Sequence, residues 1–407
     1  MPACWLLIGL LLVGAARIVA VLRAAFVAYP LSIGLAVVLF ALYAVPFLLF
    51  ILHLDYFERE PPLLLAAAFA WGGLVAMAAA VPGNAALDNL IAKLGSPAFA
   101  AAWGPALAGP TVEEPLKLLG VVVIALIARE QINSVVDGFV YGAVAGLGFQ
   151  VVENVLYAAN AVARAGLGDH PGPVFTTFIG RGFVAGLWSH TMFSALAGAG
   201  VGYAAVRRDR SRSSRLGFAA LCLLGAWLCH SLWNSPLLVD GLHLGPSGVL
   251  VELLVKGIPA LVVILALVRS AGHREAAYYG GVLADLDDER IATPVDIEAL
   301  ASPARRAAAR RAGRALAGPR GFYAVTRLQR AQARLAVELS RDATLDSPAA
   351  QRRYRDVLRS RRRLLALGHL AAPPQATPGG WERWLVGAAI ATLLGFGLNL
   401  VLWVLGF

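Results

Sequence analysis

Charge is scarce in this chain. Only 15% of its 407 residues are Asp, Glu, Lys or Arg, against 58% hydrophobic, where a soluble domain carries about 25% charged residues. That scarcity excludes an ordinary soluble globular protein and leaves room for many membrane spans of about 20 apolar residues each. Cysteine is scarcer still. Cys4, Cys222 and Cys229 all lie in apolar stretches, which excludes a disulfide framework and a metal-knuckle spacing and makes them small core residues. Several catalytic signatures are absent as well: there is no HExxH, no GxSxG and no pair of aspartates in adjacent apolar segments, so the chemistries those motifs carry lose their basis here.

What is present reads as an all-α, polytopic membrane helix bundle. Apolar runs place about nine spans, near residues 4–22, 31–53, 63–82, 111–128, 135–160, 174–206, 216–237, 249–269 and 384–406. The start lacks the basic lead of a secretory signal, so 4–22 reads as a retained span. The run 174–206 exceeds one bilayer thickness and is expected to tilt, or to begin in the interface. The first eight spans make a membrane core over 1–269, and the last follows a polar segment and linker over 270–380. From Arg269 to Arg383 there are 21 arginines against 12 acidic residues, so this stretch holds almost all of the net charge of +10. It contains two amphipathic helices, near 321–340 and 347–366. Anionic lipid is its expected partner; no aromatic or glycine pattern of a nucleic-acid module accompanies it, and no nucleic acid is expected. The positive-inside rule puts this segment and the loop Arg207–Arg215 in the cytoplasm of a multi-pass protein of the cell membrane, a bacterial cytoplasmic membrane in the first instance. It also leaves 83–110 outside.

Against this apolar background a few polar residues stand out. An acidic side chain near mid-membrane costs about 2.5–3.5 kcal/mol unless partnered. Glu113 and Glu114 open the 111–128 helix, Glu153 and Asn154 lie in 135–160, His190 lies in 174–206, and His230 with Asn234 share one face of 216–237. Thr111 and Glu114 have capping-box spacing, which gives Glu114 a structural explanation. Glu113 stands four residues before Lys117, where carboxylate and ammonium meet on one face, and so paired it could take a proton from water. Gly138, Gly142 and Gly146 form a strip on which another helix can approach. Carboxylate, imidazole and amide together are the inventory for hydrolysing an amide bond.

Taken in order, Glu113-Glu114-Pro115-Leu116-Lys117 (EExxK), Phe149 to Glu153 with Asn154 (FxxxEN), His190, and His230 to Asn234 (HxxxN) resemble the PrsW family of intramembrane proteases. That family is related to the CAAX prenyl protease and bacteriocin-processing superfamily. The segment Asp55–Pro61 is similar to the family's loop before its third span, and the resemblance covers about residues 40–270. It implies an endopeptidase acting on a single-pass membrane protein such as an anti-sigma factor. By the superfamily pattern Glu113 and His190 would activate water, and His230 with Asn234 would stabilise the oxyanion. Glu114 and Lys117 would position Glu113, and Glu153 with Asn154 would support the site. A metal-free glutamate mechanism is favoured on that resemblance and because Lys117 beside Glu113 would repel a cation. Zinc on Glu113, His190 and His230 is the alternative.

Other functions remain open at this point. Intramembrane carboxylates and histidines also build proton- or ion-coupled transporters, although no internal repeat is evident. A prenyl-peptide or bacteriocin-processing protease and a scaffold displaying the arginine-rich segment complete the alternatives.

Overall fold

A computed structural model of the chain describes residues 2–55, 57, 59–184, 189–237, 251, 253–341 and 344–368. All of the regular structure in these residues is helical. The described residues divide into two compact units, one comprising residues up to Leu54 and Glu60–Val268, the other Asp55–Arg59 and the described residues from Arg269. The proposed span 384–406 lies outside the described residues.

In the first unit α1 (Pro2–Ala28) and α2 (Pro30–Leu54) precede α3 (Pro62–Leu94), which widens into a π turn at Trp71–Ala76. Then follow α4 (Pro97–Ile127), α5 (Val135–Ala165), the short α6 (Gly172–Thr177) running into a π turn at Phe178–Val184, α7 (His190–Val206) and α8 (Arg212–Asn234). The next helix, α9 (Ile258–Ala284), continues into the second unit. By length and apolar composition α1, α2, α3, α5, α8 and α9 are six candidate membrane spans among the described residues. Their outward faces expose large apolar side chains, among them Trp5, Leu12, Leu42, Leu63 and Leu221, which water would penalise and lipid does not.

Three expectations from sequence fail here. The spans do not stop at 82 and restart at 111: α3 runs on to Leu94, and α4 begins at Pro97 with Ser96 as its N-cap. Consequently Glu113 and Glu114 are mid-helix and Thr111 caps nothing; its Oγ1 accepts instead from Trp227 Nε1 at 3.0 Å. The signal that misled is proline. Pro105, Pro110 and Pro115 all sit inside α4, and each removes one backbone donor yet is tolerated where neighbouring helices re-satisfy the backbone. In this unit a capping box forms instead between Ser134 and Asp137, at the start of α5. Finally, 174–206 is not one long tilted helix, since the helical run changes to a π turn at Phe178 and α7 starts afresh at His190.

Helix α5 is the axis of this unit, with most of its residues buried. The glycine strip explains how α7 reaches it. A Cβ on Gly142 would stand 2.2 Å from Ser194 O, and one on Gly146 would stand 2.2 Å from His190 O. The two backbones therefore touch, and His190 is seated directly on α5. A buried relay from Thr191 to Gln150 (3.0 Å) and from Gln150 to Tyr43 (2.8 Å) ties α7, α5 and α2 together.

The second unit contains α10 (Pro294–Leu300), α11 (Pro303–Leu339) and α12 (Pro348–Leu365). The expected helices near 321–340 and 347–366 correspond to the second arm of α11 and to α12. Its core gathers Tyr279, Leu283, Ile291, Leu300, Leu328, Leu335 and Val357 around Phe57.

Candidate active site

Four helices deliver the polar residues to one place. Glu113, Glu114 and Lys117 come from successive turns of α4, Glu153 and Asn154 from α5, His190 from the first turn of α7, and His230 from the last two turns of α8. Glu113, Glu114, Lys117, His190 and His230 are each at most 5% exposed, so every charge among them must be satisfied internally.

The pairing differs from the one that spacing suggested. Lys117 Nζ bonds Glu114 Oε1 at 2.6 Å and lies 4.0 Å from Glu113 Oε2. Both i+3 and i+4 partners were within reach, and the nearer carboxylate took the ammonium. Lys117 Nζ also approaches His190 Nδ1 at 3.0 Å and the Phe149 ring at 4.6 Å. Glu113 is held instead by Asn84 of α3, whose Nδ2 donates to Oε1 at 2.8 Å. Its other oxygen, Oε2, is buried without a hydrogen-bond partner.

Each histidine is clamped on its far side by a carboxylate. His230 Nδ1 lies 2.7 Å from Glu114 Oε1, and His190 Nε2 lies 2.9 Å from Glu153 Oε2. Carboxylates accept, so these nitrogens carry the protons and the near nitrogens are left with lone pairs. Those near nitrogens, His190 Nδ1 and His230 Nε2, lie 3.6 Å and 4.0 Å from Glu113 Oε2. Aromatic rings close the surroundings: Phe193 stacks on His230 at 5.2 Å, and Phe149 lies 5.0 Å from His190.

Two contributors escaped the sequence reading. Arg181, in the π turn after α6, donates to Glu153 Oε2 at 2.5 Å and to Asn154 Oδ1 at 2.8 Å, and lies 3.6 Å from the centre of the Tyr157 ring. The signal existed, since an arginine inside the apolar run 174–206 is as costly as the acids that were noticed. Asn84 had none, lying just beyond the expected end of its span. Asn234 is placed less centrally than expected: its Nδ2 donates to Pro105 O at 3.1 Å. It still borders the site, for a Cβ on Gly109 would stand 3.5 Å from Glu113 Oε1, 3.6 Å from Asn234 Nδ2 and 3.9 Å from His230 Nε2.

Glu113, His190 and His230 offer ligand atoms within 4.8 Å of one another. The set fits a metal in three respects: two imidazoles and a carboxylate are a catalytic zinc donor set, both imidazoles have carboxylates fixing the tautomer a ligand needs, and Glu113 Oε2 is an orphaned buried acceptor aimed at them. The repulsion expected from Lys117 is offset. Three carboxylates (Glu113, Glu114, Glu153) face two cations (Lys117, Arg181), leaving a formal charge of −1 with the histidines neutral. The position of Glu113 also changes. It lies midway along the 31 residues of α4, so its placement near an outer helix end no longer follows.

A helical bundle, among the described residues, with a buried Glu/His/His group that could hold a metal is an arrangement suited to a membrane-embedded metallopeptidase. A family model described as PrsW family intramembrane metalloprotease matches residues 60–268, just over half of the chain, and the protein belongs to that family. No curated protein and no solved structure matches the chain. Family membership makes this chain a peptidase of the membrane, which displaces the transporter and scaffold alternatives. The description as a metalloprotease, with the convergence of Glu113, His190 and His230, favours the metal alternative over the metal-free preference.

Proposed function

We propose that this protein is an endopeptidase that cuts a membrane-anchored, single-pass protein, with zinc held by Glu113 Oε2, His190 Nδ1 and His230 Nε2. The observation that carries the reading is the clamping of both imidazoles: each gives its far N–H to a carboxylate, and its other nitrogen lies within 4.0 Å of Glu113 Oε2, a buried oxygen that lacks a hydrogen-bond partner. Zinc bound there would supply a Lewis acid and lower the pKa of a coordinated water.

The remaining residues do the holding. Glu114 and Glu153 fix the histidine tautomers, Lys117 and Arg181 neutralise those two carboxylates, and Asn84 orients Glu113. Lys117 keeps Glu114 as its partner when His190 Nδ1 is engaged elsewhere. The scissile peptide group is placed beside Gly109, with the Asn234 amide next to it as a donor for developing negative charge on the carbonyl oxygen. Counting α4, α7 and 384–406 with the six apolar spans gives nine crossings, with Arg207–Arg215 and the polar segment 270–380 in the cytoplasm. An anti-sigma factor is the type of substrate this reading favours, in regulated intramembrane proteolysis.

The test is cleavage of a tagged single-pass anti-sigma factor by the purified protein, combined with elemental analysis. Glu113→Gln and His190→Ala are expected to abolish cleavage and to lower bound zinc below stoichiometry, and a chelator to remove both together. Full cleavage in either variant would reject the site. Full cleavage by metal-free wild-type protein would reject the zinc and restore a glutamate mechanism.

A further inference from the structure

The second unit concentrates positive charge that the peptidase chemistry does not use. Its α11 folds back on itself at Ala317–Gly318, where Gly318 has a φ of +58°, a conformation that glycine adopts without strain. The arms then meet backbone to backbone at Gly313 and Gly321. Amides stitch them further along: Arg310 Nε donates to Gln329 Oε1 at 2.8 Å, and Gln329 Nε2 to Arg306 O at 3.2 Å. Arg306 donates in turn to Phe57 O at 3.2 Å, which fixes the short segment that carries Arg59.

The fold-back sets Arg310 against Gln329, the neighbour of Arg330, with Arg334 one turn further along the same arm, and the Arg306–Phe57 bond holds the segment of Arg59 to the same unit. Partial burial, with the charges of Arg330 and Arg59, pushes Arg310 down to about 10, and burial with Arg59 and Arg334 lowers Arg330. Nearby arginines are treated differently. Arg290 pairs with Asp288, Arg305 with Glu298, Arg359 with Asp356 and Arg361 with Asp296. Among the described residues no carboxylate pairs with any of the four, and the sole side-chain partner on them is the neutral amide of Gln329. Like charges gathered without a counter-ion leave a place for one.

We propose that Arg59, Arg310, Arg330 and Arg334 form a binding site for a phosphate-bearing anion, supplied by an anionic lipid headgroup or by a free phosphate compound. Guanidinium presents the planar fork that matches phosphate oxygens in pairs, and several forks around one anion suit a dianionic group better than a single carboxylate. Arg59 stands three residues before Pro62, where a candidate span begins, so the chain at this point is close to a bilayer surface.

Full-length protein in a neutral detergent is probed by hydrogen exchange over 303–339 and by thermal unfolding, with phosphatidylglycerol, phosphatidylcholine, inorganic phosphate or polyglutamate added at equal ionic strength. Phosphatidylglycerol or inorganic phosphate is expected to slow exchange, and the probe that does so identifies the source. Arg330→Gln with Arg334→Gln is expected to raise the half-saturating concentration at least about tenfold, from the loss of charged hydrogen bonds. Without added anion the same variant should unfold at an equal or higher temperature, because repulsion has been removed; a merely structural role predicts a lower one. The exposed pair Arg362→Gln with Arg363→Gln should leave the response unchanged. The proposal is overturned if neither phosphate probe slows exchange, if polyglutamate alone does, or if both variant pairs weaken the response equally.

Discussion

At the scale of single residues, the space for the reaction is bounded by a side chain that is not there. Gly109 lies one turn before Glu113, and the point where its Cβ would stand is ringed by Glu113 Oε1, Asn234 Nδ2 and His230 Nε2 at 3.5–3.9 Å. These are ordinary contact distances, so Gly109→Ala should fold normally. A helix-interior Gly→Ala change typically stabilises by about 0.5–1 kcal/mol. The added methyl stands where the scissile group is placed, and a displacement of about 1 Å there can cost about a hundredfold in rate. Stability held or raised, with kcat/KM down by about that factor, is the expected pair of outcomes; unchanged kinetics would place the peptide elsewhere. The polar residues themselves were legible because carboxylates and imidazoles in apolar runs are conspicuous. Their pairing was not, since Lys117 can reach Glu113 and Glu114 equally well along the helix, and only the positions of α7 and α8 decide between them.

At the scale of elements, legibility follows the strength of the local signal. Apolar runs located the helices, while ends marked by proline misled, because α4 carries Pro105, Pro110 and Pro115 without stopping. The break that lets α7 begin at His190 has no strong breaker to announce it. The strip Gly138, Gly142, Gly146 did announce a close helix contact, though not that α7 makes it. This contact sets where His190 sits, so it ties packing to chemistry. In Gly146→Ala a Cβ would meet His190 O at 2.2 Å, with backbone on both sides and nothing flexible to yield. The helices must separate, at a cost of about 1–3 kcal/mol for overpacking, and His190 must move away from Glu153 on α5. Activity should fall together with thermal stability. Gly217→Ala, with no atom within 4 Å of the new Cβ, should change neither, and equal behaviour of the two variants in unfolding and cleavage assays would discount the strip.

At the scale of the whole molecule, the second unit is built from two separated parts of the chain. Asp55–Arg59 joins the helices beyond Arg269 in one compact body, and nothing in the composition of so short a stretch indicates this. The physical reason is one aromatic anchor. Phe57 is 3% exposed and stacks on Tyr279 with ring centroids 4.8 Å apart. The Arg306 guanidinium lies 5.5 Å from its ring centre, and its carbonyl accepts from Arg306 Nη1. Removing a buried phenylalanine side chain typically costs about 3–5 kcal/mol, and the loss is larger where the cavity cannot collapse. The neighbours here are Tyr279 and the hydrogen-bonded Arg306, which have limited freedom to fill the space. Phe57→Ala in the full-length protein should therefore loosen the body it anchors. Amides around Ile291–Leu300 and Val325–Val337 are expected to exchange faster, and trypsin to cut sooner in the arginine-rich arms of α11. Phe57→Leu keeps most of the buried volume and should recover most of the protection. If exchange over both stretches matched wild type in Phe57→Ala, the five-residue segment would be a passenger on this body, and the placement of Arg59 beside Arg310 and Arg330 would lose its structural support.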